Sequence, residues 1–85
     1  MENLDKDSVI QILKKLNPAL QRSQIVMYAN LFIDYTTAQR NIDEHGSMVM
    51  HPKTGEPIEN PYLKIRDKAF SNLQKMRVKA DALWE

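Results

Sequence analysis

The 85-residue sequence contains no cysteine. Disulfide bonds, thiolate metal sites and a cysteine nucleophile are therefore all excluded. A domain of this size buries only about 60% of the surface that its unfolded chain exposes. Because no covalent cross-link reinforces so small a core, the sequence predicts a chain that oligomerises.

Long apolar runs are also missing from the sequence. No stretch reaches the roughly 18 apolar residues of a membrane-spanning helix. The first five residues, MENLD, have neither the basic nor the apolar region of a signal peptide. We therefore expect a cytoplasmic protein without a membrane partner.

The motifs of common enzymes are absent as well. The sequence has two glycines and lacks a phosphate-binding loop, a dinucleotide fingerprint and a Ser/His/Asp arrangement. His45 and His51 are not at the His-x-x-x-His spacing of a helical metal site, so we expect both to be solvent-facing polar residues. We predict no catalytic residue, no metal and no cofactor, and hence a protein that is not an enzyme.

Two segments before Gly46 have apolar residues at helical spacing. Residues 5–16 predict a short amphipathic helix with one apolar face, formed by Val9, Ile12, Leu13 and Leu16. Residues 24–45 predict a long helix with a stripe of Ile25, Tyr28, Ala29, Phe32, Tyr35, Gln39 and Ile42. We expect the aromatic residues of this stripe to pack in the core rather than stack on bases. Asn17-Pro18 could open the second helix directly, but we favour a turn that leads to Ser23 as N-cap.

The segment from Gly46 to Pro61 combines helix stop, turn and helix start signals. Gly46 can adopt the left-handed conformation that ends a helix, and Asn60-Pro61 provides an N-cap and a proline for the first helical position. Between them, residues 46–59 predict a small β-hairpin with its turn at residues 52–55, although an ordered loop is the alternative.

The last segment, residues 61–84, predicts a second long helix. Its apolar residues recur at steps of three and four, namely Tyr62, Ile65, Ala69, Leu73, Met76, Ala80 and Leu83. Because the two long helices flank a short connector, we expect them to form an antiparallel helical hairpin. The sequence thus predicts a single, mainly α domain that spans residues 1–85.

Several apolar residues lie off the main stripes and suggest an interface with another subunit or partner. These candidate interface residues are Val26, Leu31, Ile33, Leu63, Phe70 and Trp84. The alternative is that they are scattered exposed apolar residues, which any soluble protein has.

Basic residues concentrate in the last helix although the net charge of the chain is only +1. Its lysines at spacings of four, seven and four residues fall within an arc of roughly 60° on an ideal helix. These candidate DNA-binding residues are Lys64, Lys68, Lys75 and Lys79. The alternative is a solvated lysine face that keeps a helical bundle soluble.

The order of these elements resembles the core of the phage terminase small subunits. The resemblance covers about three quarters of the chain, from Ser23 to Trp84. It is based on the helix stop at Gly46, the hairpin with Gly55 and the helix start at Asn60-Pro61. The flanking helices belong to it as well, with Tyr28, Ala29, Tyr35 and Ile42 before the hairpin and Ala69 and Leu73 after it.

The resemblance implies a non-enzymatic, oligomeric component of the viral DNA-packaging machine, located in the cytoplasm of a bacterial host. Such a protein recognises duplex DNA at the packaging start site and presents it to the large terminase subunit. Family members are usually longer than this chain. A second expectation is therefore a short adaptor, of the kind that a phage satellite or defective prophage encodes, which co-assembles with a full-length small subunit and redirects packaging. The alternative outside the family is an unrelated helical interaction or regulatory module with no DNA role.

Overall fold

The computed structural model describes residues 5–84. Its elements follow in the order α1 (Lys6–Leu16), α2 (Arg22–His45), β1 (Met48–Met50), β2 (Pro57–Glu59), α3 (Tyr62–Lys75) and α4 (Asp81–Trp84). The prediction of a mainly α fold, with a short first helix and a helical hairpin connected through a small β-hairpin, is confirmed.

The molecule is elongated, with extents of 51 × 24 × 19 Å. Its radius of gyration is 15.1 Å, whereas a compact chain of this length would have about 12 Å. The hydrophobic core lies at one end, where α1 and α4 pack against α2 and the C-terminal half of α3. Farther along the hairpin the buried apolar residues are the small alanines Ala38 and Ala69. Much of the hairpin surface therefore remains available to partners.

Helix α1 begins at a capped position, as its acidic start suggests. The Asp5 carboxylate accepts a hydrogen bond of 2.7 Å from the Ser8 backbone N–H. This bond favours the ionised carboxylate and lowers the pKa of Asp5. Val9 and Leu13 are fully buried on the face of α1 that packs on α2.

The turn after α1 is confirmed, but Ser23 is not the N-cap of α2. Helix α2 begins at Arg22, and its N-cap position is Gln21, whose side chain makes no capping hydrogen bond. The Gln21 carbonyl already accepts hydrogen bonds from the backbone N–H groups of Gln24 and Ile25. Ser23 therefore lies within the first turn of the helix and is exposed to solvent.

The predicted β-hairpin is present and antiparallel. Met48 pairs with Glu59, and Met50 pairs with Pro57. Gly46 at the end of α2 has a φ of +86° and Gly55 in the hairpin turn has a φ of +72°, values that only glycine adopts without strain. The ring Nδ1 of His51 accepts hydrogen bonds from the two backbone N–H groups that follow Pro52, which gives this histidine a structural role in the turn.

The Asn60 side chain bridges the end of α2 and the start of α3. Its side-chain amide donates to the Gly46 carbonyl at 2.9 Å and to the Asn41 side chain at 3.0 Å, while its Oδ1 accepts from the Tyr62 N–H at 3.0 Å. Pro61 has helical angles, φ −57° and ψ −24°. The Asn60 side chain therefore binds the first backbone N–H of α3, but the helix begins at Tyr62 and its N-cap position is Pro61, one residue later than predicted.

The predicted helix over residues 61–84 is wrong in its second half, because α3 ends at Lys75. Met76 has an extended backbone with ψ 137°, residues 76–80 are not helical, and α4 follows as a separate turn. The Asn17 side chain binds both backbone groups of Lys79, at 2.9 Å to the N–H and 2.8 Å to the carbonyl. A continuous helix would break these hydrogen bonds and move Ala80 and Leu83 out of the core, in which both are buried.

Replacing Asn60 by alanine should lower the free energy of unfolding by about 2 kcal/mol, because Asn60 is only 1% exposed and its hydrogen-bond partners would lose a buried amide. For a domain of this size this corresponds to a melting temperature lower by roughly 10 °C. Chemical and thermal denaturation measure both quantities. Asn30→Ala, at an exposed position of α2, is the control and should change stability by less than about 0.5 kcal/mol. Equal stabilities of the two variants would contradict the role given to Asn60.

Candidate functional site

Three of the four candidate DNA-binding lysines share one face of α3. Lys64, Lys68 and Lys75 are exposed and lie within this helix, in an arc of about 40° at ideal helical geometry. Lys79 is exposed too, but it lies in the non-helical segment after α3, with its backbone bound to Asn17. The structure therefore retains a basic face on α3, which we define as Lys64, Lys68 and Lys75, and places Lys79 beyond its end.

The lysines of the basic face are not engaged by carboxylates. Within residues 5–84, the ion pairs at 4.0 Å or less include His45 with Glu44 and Arg66 with Asp67, and neither involves a lysine. The Arg66 guanidinium also donates to the Gln39 side chain at 3.3 Å, so it serves the contact between α2 and α3. The ammonium groups of the basic face are thus available to bind an external anion.

The six candidate interface residues fall into two groups. Val26, Leu31 and Ile33 of α2 are half-buried and pack against the core, and Leu63 of α3 is half-buried as well. Phe70 and Trp84 remain 41% and 36% exposed. The last two belong to different helices, but the fold brings their rings together.

An aromatic cluster forms where α2, α3 and α4 meet. It consists of Phe32, Tyr35, Phe70 and Trp84. The Trp84 ring centroid lies 4.9 Å from that of Phe32, 5.2 Å from that of Tyr35 and 6.2 Å from that of Phe70. The Trp84 indole N–H donates to the Tyr28 hydroxyl at 3.0 Å. We call the exposed surface of Phe70 and Trp84 the aromatic patch.

Other exposed apolar side chains were missed by the sequence analysis. Met48 and Met50 are 56% and 65% exposed, Met27 is 58% exposed and Ile65 is 46% exposed. The prediction that Ile65 lies in the apolar seam is therefore wrong. A signal for the two strand methionines exists in the sequence, because residues two apart in a β-strand point to the same face. Met27 lines a shallow groove on α2 together with Arg22, Ser23, Val26 and Asn30.

The titratable groups do not assemble into a reactive centre in the part of the chain that the structure describes. Residues 5–84 contain no cluster of three or more histidine, aspartate or glutamate side chains able to hold a metal ion. His45 lies on the surface at 4.0 Å from Glu44, and His51 is engaged in the hairpin turn. The two surface features that stand out are the cationic face of α3 and the apolar aromatic patch.

The fold defines a small helical-hairpin protein. A family model described as "Phage terminase, small subunit" matches residues 7–79, from the first turn of α1 to the segment after α3. The chain belongs to the phage terminase small subunit family, and its role is in phage DNA packaging. The family is generally a non-catalytic packaging factor. No curated protein and no solved structure matches the chain.

The family match extends the resemblance seen in the sequence toward the N-terminus, because it includes α1. It also argues against an unrelated helical module. Among the helices between residues 5 and 84, none has the length and apolar character that crossing a membrane requires.

Replacing Trp84 and Phe70 separately by alanine should show how much each ring contributes to the stability of the fold. Trp84→Ala should lower the free energy of unfolding by about 2–3 kcal/mol, because it removes contacts to three rings and the hydrogen bond to Tyr28. Phe70→Ala should cost only about 1 kcal/mol, since this ring is the more exposed. Urea denaturation checks both values. A larger loss for Phe70→Ala than for Trp84→Ala would contradict the conclusion that Trp84 contributes more to packing than Phe70 does.

Proposed function

We propose that the chain is a non-enzymatic packaging factor that oligomerises and binds duplex DNA through Lys64, Lys68, Lys75 and Lys79. In this role it selects the DNA that is packaged and presents it to the large terminase subunit. The observation that supports this proposal best is the basic face of α3, whose lysines have no carboxylate partner within residues 5–84.

The dimensions of the basic face suit the phosphate backbone. From Lys64 to Lys75 the helix rises about 16 Å, at 1.5 Å per residue. Phosphates follow one another every 3.4 Å along each strand of B-DNA, so this face is as long as roughly five base pairs. Contacts of this kind provide affinity and position the protein, but they do not read base sequence. Recognition of a particular site would then depend on repetition of the contact in an oligomer.

Replacing Lys64, Lys68, Lys75 and Lys79 together by glutamine should weaken binding to duplex DNA and flatten its salt dependence. The slope of log affinity against log salt should fall by about 0.9 for each phosphate contact that is lost. Fluorescence anisotropy with labelled duplex DNA between low and physiological salt measures both effects.

The chain offers a matched control, because its other four lysines are Lys6, Lys14, Lys15 and Lys53. All four are exposed, and their replacement by glutamine changes the net charge by the same amount. This control should lose much less affinity than the variant of the candidate residues. Equal losses would show that only net charge matters and would exclude a DNA-contacting face on α3.

A second candidate function is that of an adaptor that co-assembles with a full-length small terminase subunit and redirects packaging. It is supported by the aromatic patch, because Phe70 and Trp84 remain 41% and 36% exposed beside each other. Aromatic anchors of this kind are enriched at the energetic centre of protein interfaces.

Phe70→Asp should disrupt assembly more than it disrupts folding, because it places a charge in the proposed interface while the native ring is already 41% exposed. Size-exclusion chromatography with light scattering, alone and with a full-length small terminase from the same cell, measures assembly, and circular dichroism measures helix content. The control is Ile65→Asp, which introduces the same charge at a 46% exposed position of α3, about 140° around the helix. Wild-type protein that stays monomeric and never co-migrates with the full-length subunit would exclude the adaptor function.

A further inference from the structure

The break between α3 and α4 occurs without any residue that breaks helices. Residues 76–80 are Met-Arg-Val-Lys-Ala, with neither glycine nor proline. All five residues are compatible with a helix, and alanine, methionine, arginine and lysine are among the better helix formers. The apolar spacing that predicts a helix to residue 84 also continues through them. Local sequence therefore favours a straight helix, and contacts distant in the sequence impose the bend.

Those contacts attach residues 76–84, which we call the tail, to a surface on α1 and α2. Asn17 binds both backbone groups of Lys79. Ala80 and Leu83, only 4% and 2% exposed, complete the core cluster that includes Val9 and Leu13 of α1. The Trp84 indole binds the Tyr28 hydroxyl. We call this receiving surface of α1 and α2 the tail seat.

A straight α3 would withdraw the tail from the seat of its own chain. As a continuous helix, residues 76–84 would extend about 13 Å beyond Lys75. The apolar seat and the tail would then both be exposed, which is unfavourable for an isolated copy. The apolar contacts of Ala80, Leu83 and Trp84 would be available again between the tail of one copy and the seat of another, because the two surfaces are the same in each copy. The hydrogen bonds between Asn17 and Lys79 would be replaced by hydrogen bonds within the longer helix. Exchange of an identical element is a low-cost route to assembly.

We propose that copies of this chain assemble by exchanging their tails, with residues 76–80 converting from the bent segment into a continuation of α3. The occupant of each tail seat is then the tail of a second copy. This inference depends on the oligomerisation in the proposed function and specifies its interface. It also changes the cationic surface, because Lys79 on a straight helix joins the arc of Lys64, Lys68 and Lys75.

The test compares two variants at one position, Arg77→Pro and Arg77→Ala. Arg77 is exposed, and the extended Met76 before it has the backbone that a residue preceding proline prefers. The residue before position 77 thus has the backbone that proline requires there in the bent form, and proline prevents a straight helix, whereas alanine removes the same side-chain charge and permits either form. Light scattering over a hundredfold range of concentration measures assembly.

Wild-type protein and Arg77→Ala should assemble with rising concentration, and Arg77→Pro should need at least about tenfold more protein to do so. Trp84 is the single tryptophan, and its fluorescence reports whether a tail occupies a seat. Emission should be the same in all three proteins, because the seat is filled by the chain's own tail in Arg77→Pro and by a second copy in the assembled wild type.

Equal assembly of Arg77→Pro and Arg77→Ala would overturn tail exchange and leave oligomerisation through another face. A wild-type chain that stays monomeric would overturn both exchange and oligomerisation, while DNA binding is decided separately by the lysine variants.

Discussion

The pairing of the Asn17 carboxamide with the backbone of Lys79 is the interaction on which the shape of this molecule depends. Its Nδ2 donates to the Lys79 carbonyl while its Oδ1 accepts from the Lys79 N–H. The Asn17 side chain thus satisfies both backbone groups of Lys79, as a neighbouring strand does for a residue in a β-sheet. The same Nδ2 also donates to the Leu13 carbonyl at the end of α1. Because Asn17 is only 8% exposed, separating these groups would leave buried polar atoms without partners. This constraint holds the tail against α1 and thereby determines where α3 ends.

Asn60 has the same chemistry at the opposite end of the hairpin, and the two asparagines explain how the two ends of so thin a fold are held together. Each precedes a proline, and each binds backbone groups distant in the sequence. Apolar burial alone would specify the far end of the hairpin poorly, since Ala38 and Ala69 are small and contribute little buried area. Directional hydrogen bonds to the Gly46 carbonyl and the Tyr62 N–H fix the connector instead. The fold thus combines an apolar core at one end of the hairpin with the hydrogen bonds of two buried asparagines, Asn17 and Asn60.

Features that depend on neighbouring residues could be predicted from the sequence, and features that depend on distant contacts could not. Gly46 and Asn60-Pro61 act within a few residues of their positions, so the hairpin and the start of α3 follow from local rules. The end of α3 depends on hydrogen bonds between residues 62 positions apart, which no periodicity reveals. The same limit applies to the candidate site. Helical spacing places Lys64, Lys68 and Lys75 on one face, whereas the meeting of Phe70 with Trp84 results from the bend that follows α3.

The bend also places the two candidate binding surfaces on one structural unit. Lys79 and Trp84 both belong to the tail, and one further member of each surface, Lys75 and Phe70, lies in the last two turns of α3. A partner protein that binds the bent form and the straight form of the tail with different affinities must shift the equilibrium between them, and with it the position of Lys79. The shift in free energy is at most the difference between the two binding free energies. By linkage, DNA that favours one arrangement of the lysines must favour the corresponding assembly to the same extent. In the proposed function, DNA binding and subunit assembly are therefore coupled equilibria, because residues 76–84 are proposed to take part in both.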